Sequence, residues 1–299
     1  QYAAALAASN GALPIINTVY LNDRTPRRGF TYRNFDLDVF GIKGPRTFLS
    51  KISENLPIPG AWLAVDMLSQ RWQGLFDVVT VTDSNWSKYF LDRGKQGKDN
   101  GWGSSFTPHS ANRMPKALFF DDYFQSHKYF EGAEDIVRHA FQFSREPEPE
   151  VSEILSQVRN CPSVSVNVRG GDYLNPQNSQ IFTTLGSSYY QKAVERILDK
   201  EPGAQFFVTT NDLARAKEVL SFIPSVKLHF VPDSVSGWKN TGHLRIMSAC
   251  QHRIIANSTF GWWGAWLSTT HGLTIAPKNW FVEEDRNTED LTPNHWLRI

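Results

Sequence analysis

The sequence predicts an α/β fold whose second half is a doubly wound parallel sheet, and three observations carry that prediction. Short apolar segments alternate with helix-patterned segments from residue 164 to residue 276; the apolar segments are rich in Val, Ile and Phe; and polar or glycine-containing turns follow them. The length of 299 residues suits two domains, and 40% hydrophobic with 13% aromatic residues supplies their cores.

Taken in order, Gln1 to Ala8 is a helix-forming run with no cap before it. Phe35, Leu37 and Val39 alternate with Asp36 and Asp38, which predicts a strand with one wet face, so the two carboxylates are read as surface groups and no metal site is expected; Asp121-Asp122 is read as a loop pair. Asn22 to Thr31 and Lys88 to Met114 have the composition of loops, the second rich in glycine and charge between Asp92 and Gly103. Glu146-Pro147-Glu148-Pro149-Glu150 reads as a stiff linker, placing one domain over residues 1–145 and another over 146–299. The second domain then reads strand 164–169, helix 188–199, strand 205–209, helix 212–220, strand 226–231, helix 243–250, strand 253–256, helix 261–268 and strand 272–276.

Ligands of open α/β sheets bind beyond the carboxyl ends of the strands, so the turns there are the candidate site. The first is Asn167-Val168-Arg169-Gly170-Gly171-Asp172-Tyr173: a strand delivers Arg169 to a turn in which glycines take conformations closed to other residues, and a guanidinium grips phosphate oxygens as a fork. The second is Thr210-Asn211-Asp212, and the third is Asn257-Ser258-Thr259-Phe260, where a helix begins and its free N–H groups attract phosphate.

These residues resemble the galactoside α-1,2-fucosyltransferases, glycosyltransferase family 11. That family's His-x-Arg-Arg-Gly-Asp-Tyr motif is matched by Asn167 to Tyr173, its Ser-Asp-Asp or Ser-Asn-Gly turn by Thr210 to Asp212, and its Asn-Ser-(Ser/Thr)-Phe-x-Trp-Trp run by Asn257 to Trp263. The likeness extends over Tyr32 to Phe40, Tyr123 to Phe130, Ile275 to Phe281 and Trp296 to Ile299. It implies two facing Rossmann-like domains (GT-B-like), the first serving the acceptor and the second holding the nucleotide sugar. It also implies an inverting, metal-independent transfer of L-fucose from GDP-fucose, a donor substrate rather than a cofactor, to a galactose-containing glycan. Arg169 would hold the β-phosphate, with Asp172 orienting it, bracing the turn or acting directly. Asn167, Gly171, Thr210, Asn211, His243, Asn257, Ser258, Thr259 and Phe260 would bind the donor. Three positions depart from the pattern: Asn167 replaces the family His, Gly170 its second Arg, and His243 the carboxylate that the resemblance sets against guanine. A donor with another nucleotide, and a non-catalytic glycan- or nucleotide-binding relative, therefore stay open as alternatives. Relatives also begin with a strand and a glycine-rich turn ahead of the first helix, and a segment of that kind is expected before Gln1. By resemblance the compartment is the cytoplasm or the membrane periphery in a bacterium, and the Golgi lumen in a eukaryote.

Composition narrows the partners. Lys plus Arg number 31 against 30 acidic residues, with no basic cluster interleaved with aromatics, which argues against nucleic acid. No apolar run reaches the ~18–20 residues of a membrane span. Cys161 and Cys250 are read as reduced, packed thiols. Trp262 and Trp266 share a helical face, as core residues do, in preference to forming a sugar platform. Asn85-Trp86-Ser87 and Asn257-Ser258-Thr259 match the N-glycosylation triplet, but the pattern is common by chance.

Overall fold

In a computed structural model of the chain, residues 1–9, 12–22, 34–55, 78–82, 84, 117–120, 123–171, 176, 178–283 and 288–299 are described. The loop 88–114, most of the loop 22–31, Asp121-Asp122 and Asp172 lie outside them. Cα proximity divides the chain into two compact units, Gln1–Ser144 and Arg145–Ile299.

In the first unit the opening run folds as helix α1 (Tyr2–Ala8), burying Ala3, Ala4, Leu6 and Ala7. Short helices α2 (Val19–Asn22) and α3 (Phe48–Asn55) follow, then parallel strands β1 (Val78–Val81) and β2 (Ala117–Phe120) in the register Val78↔Ala117, and α4 (Glu134–Ala140). Ala4, Val81 and Phe124 form a small core, with Tyr129 edge-on to Phe124 at 5.1 Å.

The strand expected around Asp36 and Asp38 is not formed. Leu37–Phe40 closes instead as a 3-10 turn with Asp36 at its N-cap. Phe40, which the alternation leaves out, decides this: its ring packs 5.0 Å from Phe141 and 5.4 Å from Phe143, and the turn is what brings it there. Among the described residues no group of three or more His, Cys, Asp or Glu is gathered, and no helix is long and apolar enough to cross a membrane.

The second unit opens with a helix where a linker was expected. Pro149 takes the first position of α5 (Pro149–Arg159) and Glu148 its N-cap, a place where proline's missing N–H costs nothing; Val151, Leu155 and Val158 then form the buried face. Strands β3 (Ser163–Val168), β4 (Gln205–Thr210), β5 (Leu228–Phe230), β6 (His252–Ile254), β7 (Thr274–Ala276) and β8 (Leu297–Arg298) alternate with α6 (Ser187–Leu198), α7 (Leu213–Val219), α8 (Thr241–Ala249) and α9 (Thr259–Trp266). The order across the sheet is β5-β4-β3-β6-β7-β8, every pair parallel. Strand β8 was not anticipated, two residues being too few to show a period.

Both faces of the sheet are covered. Val164, Val166, Val168, Phe206 and Val208 pack against Tyr190, Ala193, Val194 and Ile197 of α6 and Ala216 and Val219 of α7. On the other face Phe207 meets Val151, Leu155 and Val158 of α5 and Ile246 of α8. Helix α9 is apolar all round and buries Trp262 and Trp266, whose rings stack at 6.2 Å while the Trp262 indole N–H donates to the Leu291 carbonyl at 2.8 Å. Cys250 is fully buried, which pushes its thiol up to about 12.

At the amino end of the sheet, Arg253 is 3% exposed, and its hydrogen-bond partners among the described residues are neutral. Its guanidinium donates to the carbonyls of Cys250 (3.1 Å) and Gly272 (2.9 Å) and to the hydroxyls of Thr274 (2.9 Å), Ser268 and Thr270. Burial lowers its pKa to about 10, still leaving it cationic at neutral pH.

Candidate active site

The strand order locates a crevice by topology alone. From β3 the chain winds outward through β4 and β5, and from β6 it winds the other way through β7 and β8, so β3 and β6 flank the point where the connections reverse. Their ladder ends at Val166↔Ile254. Beyond it the strands part, and their next carbonyls need other donors. Two adjacent tyrosines of α6 supply them: the Tyr190 hydroxyl donates to the Asn167 carbonyl at 3.2 Å and that of Tyr189 to the Ile255 carbonyl at 2.6 Å. Burial drives both phenols above their ordinary range, so both remain protonated donors. The sequence reading missed this pair; its signal was two tyrosines at the start of an otherwise amphipathic helix, whose hydroxyls must find partners once buried.

Arg169 stands half-buried at the head of the turn after β3. The turn is built against the one after β4. The Gly170 N–H donates to Asn211 Oδ1 at 3.0 Å and the Gly171 N–H to Asp212 Oδ2 at 3.3 Å. Gly171 has φ +55°, a conformation glycine adopts without strain. Asp212 also caps α7, accepting the Arg215 N–H at 3.0 Å, while Thr210 Oγ1 accepts the Asp212 N–H at 2.9 Å. The N–H groups of Arg215 and Gly171 hold the Asp212 carboxyl below its usual range. Of the sequence-predicted residues here, Gly171, Thr210 and Asn211 thus make up one interlocked pair of turns.

Across the crevice α9 begins. Ser258 occupies its N-cap but gives no side-chain capping bond, and among the described residues the leading N–H groups at Thr259 and Phe260 meet no acceptor. Asn257, by contrast, is 1% exposed and turned into the protein. Asn167 is buried too: its Nδ2 reaches the Thr209 carbonyl at 3.5 Å, and its Oδ1 lies where a Cβ on Gly261 would meet it at 2.6 Å. A side chain on Gly261 would therefore force α9 away from β3. His243 lies in the first turn of α8, 5% exposed, with Nε2 donating to the Pro232 carbonyl at 3.2 Å. Burial lowers its pKa, so at neutral pH it is an uncharged imidazole with Nδ1 as its one remaining acceptor.

The strands therefore bring Arg169, Gly171, Thr210, Asn211, Ser258, Thr259 and Phe260 to the carboxyl edge of the sheet. A cation on one side of a crevice and uncapped helix N–H groups on the other suit a diphosphate.

The sequence profile described as Glycosyl transferase family 11 matches residues 80–299. Alpha-1,2-colitosyltransferase of Escherichia coli is 31% identical over 192 residues, covering 62% of this chain and 64% of its own. O-antigen biosynthesis glycosyltransferase WbnK, also of Escherichia coli, is 28% identical over 210 residues, covering 63% and 68%. Galactoside alpha-(1,2)-fucosyltransferase 1 of Homo sapiens is 26% identical over 150 residues, covering 47% of this chain and 40% of its own. The matched part thus falls just short of two thirds of the length of the first of these relatives.

Proposed function

The chain belongs to glycosyl transferase family 11, and from that premise we propose that it transfers L-fucose from GDP-fucose to a galactoside hydroxyl, forming an α-1,2 linkage with inversion. In this reading the acceptor oxygen attacks the anomeric carbon from the face opposite the leaving group; the bond to the β-phosphate oxygen breaks, and the acceptor proton passes to a base. Negative charge gathers on the departing diphosphate. In this reading Arg169 and the leading N–H groups of α9 meet that charge, which lowers the barrier to transfer. The observation that supports the reading is that Arg169 directly follows β3 and the head of α9 follows β6, the two strands that flank the reversal of the sheet. Residues 1–145 serve the acceptor in this scheme, as one half of a GT-B-like pair. Since side-chain and backbone donors meet the diphosphate, transfer should persist in EDTA.

A second reading changes the donor. His243 has Nε2 engaged by the Pro232 carbonyl and offers a single acceptor, where guanine presents two neighbouring donors, N1–H and the exocyclic amine. The sugar in the first relative's name, colitose, is another candidate for the moiety transferred. Calorimetric titration with GDP, UDP and ADP, followed by transfer assays from the matching fucose and colitose donors, separates these readings. GDP preference with fucose transfer supports the first, and preference for another nucleotide or sugar supports the second. Absence of nucleotide binding overturns both.

A further inference from the structure

Asn257 sits one residue before the cap of α9, and its carboxamide nitrogen reaches the segments that follow β3 and β7. Both hydrogens of its carboxamide nitrogen go to carbonyls distant in sequence, Thr183 at 2.8 Å and Trp280 at 2.9 Å. Thr183 lies between the Arg169 turn and α6; Trp280 lies after β7. Both segments leave carboxyl ends of strands, and they are clasped to each other. The Val282 N–H donates to the Ile181 carbonyl at 3.0 Å and the Thr183 N–H to the Trp280 carbonyl at 3.3 Å, and the rings of Phe182 and Phe281 lie 5.7 Å apart. The Asn257 carboxamide ties this clasp to the turn that starts α9, and at 1% exposure its nitrogen cannot exchange these carbonyls for water. Burial also removes Asn257 from the reach of any glycosylating enzyme once the chain is folded.

We propose that Asn257 is a positioning residue for the transfer: without touching the donor, it locks the head of α9 to the two loops that rim the crevice. The inference rests on the proposed function for the identity of the donor, and it reassigns Asn257 from the ligand contact that the sequence suggested. An asparagine is suited to the task because one planar nitrogen serves two carbonyls at once, which neither a hydroxyl nor a carboxylate does.

The test is Asn257→Asp in the full chain, which keeps the size, removes both donors and sets a carboxylate oxygen against two carbonyls. Amide hydrogen exchange, GDP affinity and transfer from GDP-fucose are measured on it and on Arg253→Lys, which weakens the sheet from its opposite end. The expected result is exchange about tenfold faster or more at Thr183 and Val282 with β3 and β4 still protected, and a donor KM and GDP Kd raised about tenfold or more. Arg253→Lys should leave both constants near wild type. Unchanged exchange at the clasp overturns the proposal, and so does faster exchange with wild-type constants. Should Asn257→Asp fail to fold, Asn257→Ser is subjected to the same measurements with the same criteria. A wild-type chain that binds GDP without transferring sugar would overturn the proposed function and leave this inference to be decided by exchange and GDP affinity; one that binds no nucleoside diphosphate would overturn both.

Discussion

Adding one methyl group at Gly170 tests how tightly the two turns of the crevice are built. A Cβ there would lie 2.7 Å from Cβ and 2.8 Å from Oδ2 of Asp212, closer than non-bonded carbon atoms approach. Asp212 has little room to yield, since its carboxylate is held by the N–H groups of Arg215 at 3.0 Å and Gly171 at 3.3 Å. Overpacking of this kind costs about 1–3 kcal/mol. For a folded unit of this size each kcal/mol lowers Tm by roughly 2–4 °C, so Gly170→Ala should melt about 2–12 °C below wild type. Gly203→Ala is the control, because nothing lies within 4 Å of a Cβ at that position. Gly170→Arg, which restores the residue the family motif carries, should be as unstable as Gly170→Ala and should not tighten GDP binding. Adding Asp212→Gly to Gly170→Ala should recover part of the steric loss, a coupling expected only of residues in contact. Thermal unfolding checks all four variants, and a Gly170→Ala protein as stable as Gly203→Ala would refute the geometry.

Three further outcomes follow from contacts described above. Arg253→Met should destabilise the chain by about 3 kcal/mol or more, because it strips donors from buried carbonyls and hydroxyls, while GDP affinity in the folded fraction stays at wild type; denaturant unfolding and titration check this. Tyr190→Phe should cost about 1–3 kcal/mol and weaken GDP binding as well, since it leaves the Asn167 carbonyl, two residues before Arg169, without its donor; the same two measurements apply, and unchanged affinity would separate the tyrosine from the site. Asp212 has a folded pKa below its ordinary value of 3.8, so its ionised form adds stability above that value, and the contribution disappears as pH falls through the lowered folded pKa. The stability gap between wild type and Asp212→Asn should accordingly be open at neutral pH and closed in strong acid, and a gap independent of pH would contradict the assignment.

What the sequence disclosed, and what it hid, follow one physical division. Strand β3 was legible because Val164, Val166 and Val168 repeat at the period of a strand, and α9 because Asn257-Ser258-Thr259 has the composition of a helix start. Helix α5 was hidden by its own prolines: the signals of a linker and of a helix N-terminus coincide at Pro149, and the spacing of Val151, Leu155 and Val158 should have decided between them. The segment at Asp36 was misread because three alternating residues fit a strand and a tight turn equally, until the packing of Phe40 on Phe141 settles the matter. In the site, the residues at strand ends were legible from local pattern. The roles of Asn257, Tyr189 and Tyr190 were not, because their partners lie far along the chain and come close only when the sheet forms.

The central claim is that Arg169, held at the end of β3, stabilises the leaving diphosphate in sugar transfer, and it is tested most directly by the rate of transfer from GDP-fucose to a galactoside in wild type, Arg169→Ala and Arg169→Lys. Arg169→Ala should melt within a few degrees of wild type and lose about two to three orders of magnitude in turnover, the effect of removing one stabiliser of developing charge. Arg169→Lys should restore little of it, because a point charge does not reproduce the guanidinium fork. Turnover of Arg169→Ala equal to that of wild type would contradict the account.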